Sequence, residues 1–168
     1  MKMKNIVLIG MPGSGKSVIG EIIAKKLEMT LIDTDTYIKE TTGKNITEIF
    51  KNGETFFRNI EAKAVSEVSR KTFAVIATGG GVVSRYENIE NLKKNGVIIY
   101  INRPIENIAG DIDVETRPLL ANDPCQIYRL FEERGPLYKE YCDYEIINIS
   151  NIDDMVSNII DIYAENNK

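Results

Sequence analysis

The run Gly10-Met11-Pro12-Gly13-Ser14-Gly15-Lys16-Ser17 has the residue types and spacing to hold a polyphosphate. Glycine lets the backbone turn successive N–H groups inward around anionic oxygens. A lysine beside that cradle reaches the β- and γ-phosphates of a nucleoside triphosphate, and a serine hydroxyl there is a Mg²⁺ ligand. A helix beginning at this point aims its positive N-terminal end at the same anion. The pattern G-x-x-x-x-G-K-S/T therefore reads as a phosphate loop, provided that a buried strand precedes it and a helix follows. The competing reading, a glycine-rich turn capped by Ser17, needs neither neighbour.

Both neighbours are present. Ile6-Val7-Leu8-Ile9 is a short, β-branched-rich run, as expected for a strand buried on both faces. Val18, Ile19, Ile22, Ile23 and Leu27 follow at helical spacing. Gly13, Ser14, Gly15, Lys16, Ser17 and Val18 are thus the candidate nucleotide-binding residues. The pattern says little about what the nucleotide is used for.

The absence of histidine narrows the chemistry. Among 168 residues there is none, so no Ser-His-Asp or Cys-His nucleophile system can exist. Any general base is a carboxylate, lysine, tyrosine or cysteine. The two cysteines, Cys125 and Cys142, have no C-x-x-C spacing, so they are expected as reduced thiols. Lys+Arg 21 against Asp+Glu 25 gives a net charge of −4, which argues against a non-specific nucleic-acid binder. No apolar run approaches the ~18 residues of a membrane span. The opening Met1-Lys2-Met3-Lys4 resembles a signal n-region, but the apolar run after it stops at Gly10. The expectation is a cytoplasmic protein with no membrane partner, folded as one domain over 1–168.

The elements that must position these residues alternate. After the first strand and helix, Leu31-Ile32 reads as a second strand ended by Asp33. The stretch from Asp35 to Lys71 reads as helical pieces broken at Gly43 and Gly53, the third being Glu54 to Arg70. Phe73 to Ala77 is a strand stopped by Gly79-Gly80-Gly81, and Tyr86 to Asn95 a helix. Val97 to Ile101 is a strand, and Pro104 begins a short helix. Gly110 to Asp123, acidic and containing Pro118, reads as a mobile loop. Pro124 to Tyr141 is helical but interrupted at Gly135-Pro136; Glu145 to Ile149 is the last strand and Ile152 to Ala164 the closing helix. This alternation predicts an α/β fold, a parallel five-stranded sheet flanked by helices in three layers.

In such a sheet, ligands bind beyond the carboxyl ends of the strands. Gly10 to Ser17, Asp33-Thr34-Asp35 and Gly79 to Gly81 all fall there and can share one crevice. Asp33 is equally well placed as a helix N-cap. The guanine-reading tetrapeptide N-K-x-D of a GTPase is absent, and the strand Phe73 to Ala77 ends without the acid pair of a motor ATPase. That leaves kinases of small molecules. Arg58 and Glu61 stand at i and i+3 on a helix, an arrangement that is most often a surface ion pair of little consequence. Arg117 and Arg134, each taken alone, default to surface charge.

Together these runs form a pattern. GMPGSGKS, DTD, FRNIE, GGG, RPLL and RGPLY, in that order from about Lys4 to Tyr141, resemble the shikimate kinases. These are P-loop enzymes that transfer the γ-phosphoryl of ATP to the 3-hydroxyl of shikimate, in aromatic amino acid biosynthesis. The resemblance implies a P-loop kinase fold, ATP and Mg²⁺ as partners, and commonly a monomer. It implies that Arg58 and Arg134 hold the substrate carboxylate, for which planar guanidinium groups are suited. It places Gly79, Gly80 and Gly81 in the substrate loop and Asp35 on the substrate hydroxyls, orienting or deprotonating the 3-hydroxyl. Asp33 and Ser17 become the metal-binding pair, and Glu61 orients Arg58. Lys16 and Arg117 stabilise the transferred group, Arg117 from a lid at 110–123, while the substrate-binding region spans 33–61.

One departure stands out. Many members carry a basic residue seven positions before the RPLL arginine, where it stacks on adenine; here that position is Gly110. Weaker ATP binding or a different lid arrangement is the expectation. Two alternatives stay open: another small-molecule P-loop kinase, for instance of sugar acids, and a nucleotide-binding homologue without catalysis.

Overall fold

The computed structural model describes residues 3–111, 125–149 and 151–167. Its elements run β1 (Asn5–Ile9), α1 (Lys16–Leu27), β2 (Thr30–Asp33), α2 (Thr34–Thr42), α3 (Ile46–Phe50), α4 (Glu54–Val68), β3 (Ala74–Ala77), a short 3₁₀ turn (Val82–Ser84), α5 (Tyr86–Lys93), β4 (Gly96–Asn102), α6 (Ile105–Asp111), α7 (Gln126–Tyr141), β5 (Tyr144–Ile147) and α8 (Ile152–Glu165). The five strands form a sheet in the order β2-β3-β1-β4-β5, every pairing parallel. This is the expected α/β architecture.

The period of two along each strand builds the layers. Val7, Ile9, Ile76, Ile98 and Tyr100 face one side, under Val65 and Val68 of α4, Ile89 and Leu92 of α5, and Leu130 and Tyr138 of α7. Ile6, Leu8, Val75, Ile99 and Ile101 face the other, against Ile19 and Ile23 of α1 and Val156 and Ile159 of α8. Each fully buried isoleucine contributes about 1.5–3 kcal/mol. A smaller core of Ile38, Ile49, Phe57 and Ala64 joins α2, α3 and α4 into a separate lobe. Gly43 and Gly53, both at positive φ, make the breaks between those helices, as the sequence suggested.

Strand order reverses at β1, which lies between β3 and β4. Its carboxyl end feeds the phosphate loop, so that loop opens at the switch point of the sheet, where such folds form their crevice. Among the described residues no helix is long and apolar enough to cross a membrane.

Several boundaries are corrected. Gly135-Pro136 does not interrupt α7, which runs unbroken through Pro136. Proline there removes one hydrogen bond at a cost of ~3 kcal/mol, but Ile127, Leu130 and Tyr138 anchor the helix from both sides of it. Gly110 and Asp111 belong to α6 rather than to a loop, because Ile105 and Ile108 bury one face of that helix. The rest of the expected lid, with Arg117 and Pro118, lies outside the described residues. Phe73 is exposed, with φ 57, and the strand starts at Ala74, whose N–H donates to Asn5 Oδ1 at 3.0 Å. α4 ends at Val68, α5 at Lys93 and β5 at Ile147. Cys142 is a free thiol, as expected.

Candidate active site

The phosphate loop leaves β1 at Gly10 and enters α1 at Lys16. Gly15 caps α1 in the left-handed region, φ 98, which favours glycine. Lys16 is 7% exposed, and its ammonium donates to Gly10 O and Met11 O, both at 2.8 Å, and to Ser14 Oγ at 3.3 Å. The loop thus curls around the charge that the sequence assigned to it.

Asp33 ends β2 and divides its two carboxylate oxygens between two tasks. Oδ1 accepts the N–H groups of Asp35 and Thr36, each at 3.0 Å, and so caps α2. Oδ2 accepts the Ser17 hydroxyl at 2.8 Å. The cap reading and the metal-site reading are therefore both compatible with one residue.

The third wall comes from beyond β3. Thr78 Oγ1 donates to Leu8 O at 2.9 Å, and Gly79 N–H donates to Thr34 Oγ1 at 2.9 Å. A side chain at Gly80 would bring its Cβ to 2.6 Å from Pro12 Cδ, so only glycine lets this run lie against the phosphate loop. The resulting cleft, about 280 Å³, is lined by Pro12, Gly13, Gly15, Lys16, Ser17, Val18, Asp33, Asp35, Thr78, Gly79 and Gly80.

A buried charge cluster adjoins it. Arg58 is 6% exposed; Nη1 donates to Glu61 Oε2 at 2.8 Å and Nη2 to Glu54 Oε1 at 3.0 Å. Its Nε is buried without a hydrogen-bond partner among the described residues. The i, i+3 pair is thus an interior one, not the surface bridge that such spacing most often makes. A Cβ on Gly81 would overlap the Arg58 guanidinium, so glycine at 81 is what admits this arginine. Burial pushes the Glu61 carboxyl above its ordinary range; Arg58 chiefly, and Arg134 weakly, oppose the shift, while Asp35 adds to it. Arg134, 5% exposed on α7, lines a neighbouring recess of about 380 Å³ with Glu54, Ser84, Gln126, Leu130, Glu133 and Leu137. The field of Arg134 at Glu61 ties the two arginines to one cluster.

Most expected site residues are therefore brought together: Gly13, Gly15 to Val18, Asp33, Asp35, Gly79 and Gly80 line the cleft, Ser14 is buried within the loop, and Gly81, Arg58, Glu61 and Arg134 lie next to it. Arg117 lies outside the described residues. Several contributors carried no assigned role. Thr34 holds the glycine run; its hydroxyl between two acids was the available signal. Tyr138, fully buried in the RGPLY run, donates to Gly80 O and stacks on Tyr100 at 5.1 Å between ring centroids. Burial raises its pKa, with Arg134 opposing, so the phenol stays a donor at neutral pH. Arg103 and Asn148, which touch the outside of the phosphate loop, gave no signal in the sequence. Chemically, the arrangement offers a polyphosphate cradle, two buried guanidinium groups, Arg58 and Arg134, set among glutamates beside it, and an acid, Asp35, on the cradle wall.

Comparison with known proteins agrees with this arrangement. The family model for shikimate kinase matches residues 12–164. A shikimate kinase of Clostridium botulinum (strain Eklund 17B / Type B) is 51% identical over 165 residues, covering 98% of this chain and 100% of that protein. One from Caldicellulosiruptor bescii is 47% identical over 148 residues, 86% of each chain. Among solved structures, the shikimate kinase of Acinetobacter baumannii in complex with shikimate superposes with a TM-score of 0.92 at 31% identity, covering 98% of this chain and 94% of that one. A gluconokinase of Sinorhizobium meliloti, at 14% identity and TM-score 0.61, shares the fold alone. With the motifs, the cleft and these matches in agreement, the chain belongs to the shikimate kinase family.

Proposed function

We propose that the protein transfers the γ-phosphoryl of ATP to the 3-hydroxyl of shikimate, giving shikimate 3-phosphate and ADP. The observation that carries this reading is the adjacency of two anion sites with an acid beside them: the phosphate loop around Lys16, the buried Arg58 and Arg134, and Asp35 on the wall of the cleft.

The triphosphate lies in the loop, with Lys16 exchanging its contacts to Gly10 O and Met11 O for phosphate oxygens. The substrate carboxylate is held by Arg58 and Arg134, where an unsatisfied Arg58 Nε offers a further donor. Asp35 accepts a hydrogen bond from the 3-hydroxyl and orients its oxygen for in-line attack on the γ-phosphorus. A new P–O bond forms, the bond to the ADP oxygen breaks, and the hydroxyl proton passes to Asp35. Positioning and charge stabilisation carry most of such a reaction.

Ser17 and Asp33 fit Mg²⁺: a hydroxyl and a carboxylate oxygen 2.8 Å apart at the mouth of the cradle. Among the described residues no cluster of three acidic, cysteine or histidine side chains could hold a metal. Mg²⁺ at such sites takes only one or two protein oxygens and completes its shell with phosphate and water. When bound, the ion would neutralise charge on the phosphate oxygens.

ADP release should be coupled to a dye and measured with shikimate, gluconate and a nucleoside monophosphate. Turnover with shikimate alone is expected; turnover only with either of the others would reassign the acceptor. Asp35→Asn is expected to lower kcat by about 10²–10⁴ while leaving ADP affinity within twofold, the range for loss of a positioned base. An unchanged kcat would reduce Asp35 to a residue of the first turn of α2.

A further inference from the structure

β5 ends at Ile147, and the next residue turns its side chain to the phosphate loop. Asn148 Nδ2 donates to the carbonyl of Ser14 at 2.8 Å. Its own backbone N–H donates to Asn102 O at 2.7 Å, so the side chain is mounted on the end of the sheet. A Cβ on Gly15 would come to 3.1 Å from Nδ2, closer than most side chains tolerate. Glycine at 15 therefore makes room for the asparagine as well as supplying the left-handed cap.

The peptide between Ser14 and Gly15 is trans, since there is no cis bond among the described residues. In a trans peptide the carbonyl and the N–H point in opposite directions. With the Ser14 carbonyl held toward Asn148, the Gly15 N–H is turned the other way. Gly15 lines the cleft and Asn148 does not, so that N–H is presented on the cleft side. The preceding peptide is held at both ends: Arg103 Nη1 donates to Gly13 O at 3.1 Å, and Ser14 N–H donates to Met11 O at 3.1 Å. Arg103 is in turn paired with Asp111 of α6. Consecutive loop carbonyls are thus gripped by side chains following β4 and β5.

We propose that Asn148 is a positioning residue of the nucleotide site, fixing the Ser14–Gly15 peptide so that its N–H is aimed at a phosphate oxygen before the nucleotide arrives. The proposal rests on reading Gly10 to Ser17 as the nucleotide cradle. Donors fixed in advance bind charge without reorganising, which raises affinity for the anion and not for the other substrate.

The test is calorimetric titration of the full-length protein with ADP and, separately, with shikimate, for wild type, Asn148→Ala and Asn148→Asp. Asn148→Ala is expected to bind ADP about 5- to 20-fold more weakly, the worth of one well-placed hydrogen bond and the peptide it fixes. Asn148→Asp should be weaker still, because a carboxylate cannot donate to the carbonyl and repels phosphate. Shikimate affinity within twofold of wild type, with an unchanged unfolding temperature, is the other half of the expectation. ADP affinity in Asn148→Ala equal to that of wild type would overturn the proposal, as would parallel loss of both ligands. Failure of wild type itself to bind ADP would instead overturn the reading of the loop.

Discussion

Lys16→Ala is expected to lower kcat by about 10²–10³, the range for removal of a preorganised charge aimed at the transferring group. The ammonium is held at 2.8 Å from two loop carbonyls and stands at the first position of α1. A donor so placed costs little to redirect, because the carbonyls it leaves lie within the same loop. Its charge matters most as negative charge develops on the leaving oxygen, so the loss falls on kcat more than on KM for ATP. Removing it also strands Gly10 O in a buried spot, at about 1–3 kcal/mol, whereas Met11 O keeps the Ser14 N–H. Steady-state kinetics together with thermal melts separate the two effects. A folded Lys16→Ala protein with kcat within threefold of wild type would remove Lys16 from the transfer step.

Arg58→Ala has the second large effect, and it appears in the other substrate. KM for shikimate is expected to rise roughly 100-fold, in keeping with the 2–5 kcal/mol lost when one partner of a buried charged pair is truncated. ADP affinity stays near wild type, because Arg58 does not line the nucleotide cleft. Stability falls as well, since Glu61 is 1% exposed and loses its 2.8 Å partner. Breaking such a pair costs about 3–5 kcal/mol. The sign with pH follows from Glu61, whose folded carboxyl already sits above the ordinary 4.5 because of burial. A raised folded pKa favours folding when the group is protonated, and that contribution is lost as pH rises through the folded value. Without Arg58 the shift grows, so the deficit against wild type is smallest below pH 4.5 and widens toward neutrality. Arg58→Lys, which keeps the charge without the planar fork, is the control that folds more readily; a shikimate KM unchanged in both variants would reject the carboxylate role.

How much could be read beforehand differs by residue. The phosphate loop was legible because every position of its pattern has a separate physical demand, and the flanking strand and helix were visible from their own periodicities. The convergence of Asp33, Asp35 and the glycine run followed from one rule about strand ends. The character of the Arg58–Glu61 pair was not legible: spacing of i and i+3 says that two side chains meet, not that Gly81 and the α2–α4 lobe bury them. Pro136 misled, because proline acts on one helix turn, whereas α7 is held by core contacts on both sides of it. Asn148 had no local mark. It meets Ser14 across 134 positions of chain, and only the strand order β1-β4-β5 brings them together. Gly110, which the family resemblance marked as a departure, has no atom of the described residues within 4 Å of an added Cβ.

The divided carboxylate of Asp33 has a practical consequence for anyone who maps this protein by saturation mutagenesis. A screen that scores cellular abundance would flag position 33 strongly, because losing an N-cap costs about 1 kcal/mol, and would file it with the scaffold. A screen that scores growth would flag it too, for the oxygen facing Ser17, and the overlap would hide the second role. Asparagine is the substitution that tells the two apart: its amide oxygen still caps α2, yet it carries no charge toward the cradle. Position 33 is informative only when abundance and growth are scored in the same library and asparagine is compared with alanine.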